Sequence, residues 1–219
     1  MGTPQSMGSH KPVLMAILDI FHPKSAMEFG MGLNSTPVLW ERVPLFVTIE
    51  NDLSWYNRMV GELPAREGAT PIHHKLGGGM HAKTKPHQFP PEIRSSCKEF
   101  YRKLGDKYGK MDVMFVDHFA VLRILALNCM YHLFDIIAFH DTEHPGYFYE
   151  KFTSRNLSGY HHFRFASMET HTDILISKAV MNDSAASWDS ALARRGKEYC
   201  DQFGQPYEHR LIHLDGRPM

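Results

Sequence analysis

Apolar residues fall along this chain in short blocks, and their alternation with polar, glycine- and proline-containing stretches predicts strands and helices in turn. Leu45-Phe46-Val47-Thr48-Ile49, Met111-Asp112-Val113-Met114-Phe115-Val116 and Asp135-Ile136-Ile137-Ala138-Phe139 are nearly continuous apolar runs of strand length, as in a parallel sheet covered on both faces. Each run delivers a polar residue at its end: Glu50, Asp117 and His140. Residues 26–29 and 69–76 read as two more strands. The segments between them read as helices: 37–42, stopped by Pro44; 54–60, capped by Asn51 or Asp52; 92–104, amphipathic; and 121–133, strongly apolar. A short helix over 13–21, broken before Pro23, precedes the first strand, and another is expected over 147–153.

The runs at 161–165 and 172–177 are separated by too few residues for a helical crossover, so they are expected to pair antiparallel. A helix over 188–203 follows, and the polar, proline-punctuated end at 204–219 reads as an arm or lid. The pattern therefore predicts an α/β fold, mostly parallel, with a C-terminal antiparallel strand pair. Residues 1–11 are expected to be a flexible arm, 12–180 the domain and 181–219 a C-terminal helix and arm. A long Gly/Pro/His-rich loop at 77–91 is inserted after the third strand, a length typical of functional or mobile loops.

The first strand and helix are joined by Glu28-Phe29-Gly30-Met31-Gly32-Leu33-Asn34-Ser35-Thr36-Pro37. Two glycines let a backbone bend sharply and approach a ligand where a Cβ would clash. Ser35 and Thr36 offer N-cap oxygens, and Pro37 suits a first helical turn. A helix N-terminus favours a carboxylate or phosphate. Glu50 lies 18 residues beyond Gly32, near where a nucleoside-binding α/β fold places the carboxylate that accepts its ribose hydroxyls.

With 219 residues, the chain suits a single decorated domain, and its 24 basic and 24 acidic residues balance. No basic surface for nucleic acid is indicated, and no apolar run approaches the ~20 residues of a membrane span. The polar N-terminus lacks a signal-peptide pattern, and Cys97, Cys129 and Cys200 form neither a disulfide framework nor a zinc knuckle. Reduced thiols and a cytoplasmic location are expected.

The order Glu28-Phe29-Gly30-Met31-Gly32, Glu50, Phe115-Val116-Asp117 and a final strand pair resembles class I S-adenosylmethionine-dependent methyltransferases over residues 25–177. That resemblance implies a Rossmann-like three-layer sandwich binding S-adenosyl-L-methionine. It implies cofactor contacts at Glu28, Gly30, Gly32, Ser35, Thr36, Glu50, Leu76, Gly77 and Asp117, with Asp117 and His118 where cofactor and acceptor meet. Leu33-Asn34 depart from the small residues usual after the second glycine. Within the superfamily, Ile49-Glu50-Asn51-Asp52-Leu53-Ser54-Trp55, Phe115-Val116-Asp117-His118 and Phe139-His140-Asp141-Thr142-Glu143 are most similar to small-molecule or sugar O-methyltransferases, loosely to the glucuronoxylan 4-O-methyltransferase group.

Methyl transfer is an in-line displacement in which a protein aligns the nucleophile and removes its proton. His140 is the expected base, with Asp141 and Asp117 as partners and His118 as a second candidate. The same carboxylates are also able to hold a divalent metal, a less favoured arrangement, so no metal ligand is assigned. The expected acceptor is a small molecule or saccharide, with no nucleic acid and no membrane insertion. Two other readings remain: a SAM-fold enzyme of another reaction class, lyase or hydroxylase-like, and a non-catalytic cofactor-fold binding module.

Overall fold

The predicted strand order becomes one mixed sheet in a computed structural model that describes residues 8–75, 88–119, 121–147, 149–153, 157–166, 170–181, 185–205 and 210–213. Strands β1 (Ser25–Phe29), β2 (Leu45–Glu50), β3 (Ala69–His73), β4 (Met111–Val116) and β5 (Phe134–His140) pair in parallel. Strands β6 (Tyr160–Ala166) and β7 (His171–Ser177) form the antiparallel pair, with β7 against β5. The full order is β3-β2-β1-β4-β5-β7-β6-β8. The eighth strand, β8 (Arg210–His213), lies where an arm or lid was expected and extends the sheet antiparallel to β6.

Alternation along the strands divides the interior in two. Ala26, Phe46, Val113, Phe115, Ile136 and Ala138 pack toward helices α1 (Lys11–Phe21), α2 (Thr36–Arg42) and α8 (Ala185–Gln202). Met27, Phe29, Met114, Val116, Ile137 and Phe139 pack toward α4 (Pro91–Tyr108), α5 (Val121–Met130) and α6 (Glu150–Thr153). This is the three-layer sandwich that the resemblance implies. Helix α3 (Leu53–Glu62) links β2 to β3, and the short α7 (Lys178–Met181) leads into α8. Among the described residues, no helix is long and apolar enough to cross a membrane.

Several boundaries differ for local reasons. Strand β3 stops at His73, and the expected helix 121–133 ends at Met130 in a tighter turn over Tyr131–Leu133. Helix α1 ends on His22 in a left-handed conformation (φ 46°), with its N–H on Leu18 O, just ahead of Pro23. The segment expected to be a flexible arm is packed from residue 8 onward: Ser9 and His10 are buried, and Gln205 Nε2 donates to Gly8 O at 3.1 Å. Residues 1–7, most of the 77–91 loop, and the sequence-predicted contacts Leu76 and Gly77 lie outside the described residues.

Candidate functional site

The carboxyl ends of β1, β2, β4 and β5 bring most of the sequence-predicted site residues to one edge of the sheet. Gly30, the first residue past β1, has φ +91°, and a Cβ there would lie 2.5 Å from Asp117 O and 2.6 Å from His118 Cα. Only glycine satisfies both the conformation and the approach to the residues after β4. Its N–H donates to Ile49 O at 2.8 Å, while Asp117 N–H donates to Phe29 O, so the turn is sewn to both neighbouring strands. Gly32 is less demanding, since its added Cβ would press on the Ser35 hydroxyl, at 2.8 Å, and meet backbone no nearer than Ser35 N at 4.0 Å.

Ser35 holds the N-cap position of α2, yet it makes no capping hydrogen bond; its αR backbone does not aim the hydroxyl at the helix N–H groups. Thr36 serves the turn instead. Its Oγ1 accepts from Gly32 N–H at 2.8 Å and donates to Glu28 Oε2 at 2.8 Å, and Thr48 Oγ1 donates to the same oxygen at 2.7 Å. Glu28 is wholly buried. Burial pushes this carboxyl up to about 8, against the opposing hydroxyl bonds, so it stays protonated near neutral pH.

Glu50 points back into the turn. Its Oε2 accepts from Met31 N–H at 3.0 Å, and its Oε1 accepts from Asn51 and Asp52 N–H at 2.7 and 2.8 Å. A carboxylate has about four lone-pair positions, so three backbone donors leave room for one more hydrogen bond. Burial raises its pKa, and the three N–H groups oppose the rise. Of the two expected caps of α3, Asp52 is the one used, accepting from Trp55 N–H at 2.8 Å. The Trp55 indole N–H donates to Met31 O at 2.7 Å and completes the frame around the turn.

The β4 and β5 ends are organised by Arg123, a buried residue of α5 that the sequence reading did not select. Its Nη2 lies 2.8 Å from Asp117 Oδ1, and its Nη1 lies 3.2 Å from Asp141 Oδ2 and 2.8 Å from His140 O. Its Nε donates to His118 O, and the guanidinium stands 4.1 Å over the Tyr147 ring. Burial works to raise Asp117, but Arg123, followed by His140, His10 and His118, holds it below the usual carboxylate range. The two carboxylates expected beside His140 are thus tied to a fixed cation, which does not suit a second cation between them. Among the described residues, no group of three or more His, Cys, Asp or Glu side chains is disposed to hold a metal.

His140 keeps one of its two expected partners. Its Nε2 lies 3.1 Å from Asp141 Oδ1 and 3.5 Å from Ser9 Oγ, and its Nδ1 shares a 3.0 Å hydrogen bond with Thr172 Oγ1. Asp141 reaches this position through a left-handed backbone (φ 58°) directly after the strand. Tyr149 OH donates to His140 O at 2.9 Å. His118 and His10 are both buried, and among the described residues neither ring nitrogen of either has a hydrogen-bond partner. Burial drops each to about 3, leaving two neutral imidazoles beside the Asp117–Arg123 pair.

With strands in the order β3-β2-β1-β4-β5-β7-β6, a glycine turn after β1 and an acidic residue at the end of β2, the chain has a fold that it shares with solved methyltransferases. Among solved structures, the chain is similar to the N-methyltransferase NodS from Bradyrhizobium japonicum in complex with S-adenosyl-L-homocysteine. The TM-score is 0.52 at 8% identity, covering 80% of this chain and 88% of that one. It is also similar to a methyltransferase-like protein from Silicibacter pomeroyi (TM-score 0.51, 13% identity, covering 88% of this chain and 95% of that one). No family model matches the chain, and no curated protein matches it in sequence.

Proposed function

We propose that the protein is an S-adenosylmethionine-dependent methyltransferase acting on an oxygen nucleophile of a small molecule or saccharide. The observation that carries this reading is the juxtaposition, in a methyltransferase fold, of a glycine turn closed against Asp117 and His118 with a buried His140–Asp141 pair one strand farther along the same edge. The spare acceptor position of Glu50, at the end of β2 and turned into the glycine turn, suits a cofactor's ribose better than a plain turn would. Gly30, Gly32, Glu28, Ser35, Thr36 and Glu50 would hold it, with the last acceptor position of Glu50 facing a ribose hydroxyl. When bound, the cofactor supplies an electrophilic methyl group on sulfur.

The chain's own residues handle the proton. Asp141 beside Nε2 favours the tautomer with hydrogen on that atom, which leaves Nδ1 as the basic atom. Thr172 Oγ1, hydrogen-bonded to Nδ1, relays the acceptor's hydroxyl proton to it, and Asp141 steadies the imidazolium that forms. Arg123 holds Asp141 and the His140 carbonyl in register, and the burial of His140 excludes water. A charge-compensated edge suits an uncharged oxygen acceptor.

Calorimetry with S-adenosylmethionine and S-adenosylhomocysteine tests the first half of the proposal, and transfer of a labelled methyl group to phenols and sugars tests the second. His140→Ala is expected to slow turnover about a hundredfold or more while leaving S-adenosylhomocysteine affinity within about twofold. Absence of cofactor binding would remove the proposal. Binding without transfer to any oxygen, nitrogen or carbon acceptor would point to a binding module instead.

A further inference from the structure

We propose that His10, from the segment leading into α1, is an acceptor-contacting residue of the same site and that the group it contacts is an uncharged hydroxyl. This deepens the methyltransferase reading and rests on it for the identity of the reaction. His10 is 2% exposed, and among the described residues neither Nδ1 nor Nε2 has a hydrogen-bond partner, whereas His140 beside it uses both of its nitrogens. A buried imidazole left with a free donor and a free acceptor is uncommon in native interiors, and such groups collect where a ligand or an ordered water completes them. The ring lies at the reacting edge, 4.6 Å from the His140 ring and nearly edge-on (68°), and 5.1 Å from Phe115 of β4.

The placement is built rather than incidental. Ser9 is bonded to Thr170 and lies 3.5 Å from His140 Nε2, Gln205 Nε2 holds Gly8 O, and Leu14 N–H donates to His10 O at 3.0 Å, so the segment is fastened before and after His10. The surrounding charges specify what the nitrogens can serve. Asp117 and Arg123 are paired with each other, and the Lys11 ammonium turns away to the Phe203 ring at 4.5 Å. A carboxylate or ammonium brought against His10 would lose water without gaining a free counter-charge. A hydroxyl both donates and accepts, which matches the one N–H and one lone pair of a neutral imidazole.

The test uses the full chain with 15N-labelled histidine, saturated with S-adenosylhomocysteine and titrated with four probes: phenol, methyl β-xyloside, benzoate and benzylamine. The His10 ring nitrogens are expected to shift with at least one hydroxyl probe and with neither charged probe. In His10→Phe, which keeps an aromatic ring of similar size, that probe's affinity is expected to fall about tenfold, equivalent to about 1.4 kcal/mol. S-adenosylhomocysteine affinity and the melting temperature should hold. Equal hydroxyl-probe affinity in His10→Phe, tighter binding of a charged probe, or His10 signals unmoved by all four probes would each overturn the inference, the last assigning the nitrogens to water alone. Should His10→Phe fail to fold, the wild-type shifts decide by themselves. Failure of the wild-type protein to bind S-adenosylhomocysteine would instead remove the methyltransferase reading, because the hydroxyl-probe shifts are read at a different residue.

Discussion

A methyl group added at Gly30 would enter the space held by the Asp117 carbonyl and the His118 Cα, on a backbone with φ +91°. Gly30→Ala is therefore expected to destabilise the fold by about 1 kcal/mol or more and to weaken S-adenosylhomocysteine binding, whereas Gly32→Ala should cost less. Urea unfolding and calorimetry on the two variants check this. Arg123 sets a larger effect, since its loss leaves Asp117 and Asp141 without their counter-charge. Arg123→Met should cost about 3–5 kcal/mol, with part recovered by adding Asp117→Asn, again read by urea unfolding. Glu28, Gly30 and Glu50 were legible in the sequence because they are strung along one βαβ unit. Arg123 was hidden in the apolar run 121–133, where its isolation among aliphatic residues was the one available sign of a buried ion pair. His10 carried no local sign, because its neighbours at the site lie more than a hundred residues along the chain.

At the level of elements, β2 does more than contribute a strand. Glu50 at its end fastens Met31 of the turn and the first residues before α3, so one side chain joins β2, the β1–α2 connection and α3. Glu50→Ala is expected to reduce S-adenosylhomocysteine affinity about tenfold or more by releasing these three N–H groups as well as removing a ribose acceptor. Unchanged affinity by calorimetry would take Glu50 out of the cofactor site. The strands from β1 to β7 and their direction could be read from periodicity and connection length. The N-cap of α2 and the strand β8 could not. Ser35 is a common capping residue held in a backbone conformation that disables it, and β8 is a short edge strand whose polar surroundings read as a terminal arm.

Across the whole molecule, buried titratable groups shape stability in opposite directions. Glu28 has an ordinary pKa of 4.5 and is held near 8 in the fold, so the native state binds the extra proton and this contribution is lost as pH rises from about 4.5 through about 8. His10 and His118 fall from 6.5 to about 3, so their contribution is present above 6.5 and is lost as pH falls toward 3. The depressed carboxyls of Asp117 and Asp173 add to the loss in acid. The two imidazoles outweigh the raised carboxyls as pH approaches 6.5, and Glu28, raised further than Glu50, governs the fall above it. Thermal melts from pH 4 to 9 should therefore show a maximum near neutrality, and Glu28→Gln should flatten the alkaline side.

The buried segment around His10 has a further consequence for the order of assembly. The cofactor half of the site is closed by contacts among residues 28–55 and with Asp117 and His118 at the end of β4. The other half needs residues 9 and 10 to meet His140 and Thr170, with Gly8 fastened by Gln205 and Asp19 of α1 bonded by Tyr199. Long-range closure comes late in folding and opens early under stress. On a ribosome the nucleotide cradle can form while the reacting edge still waits for α8, and a protease that nicks α8 would leave a protein able to hold its cofactor with no ordered wall against which to place an acceptor.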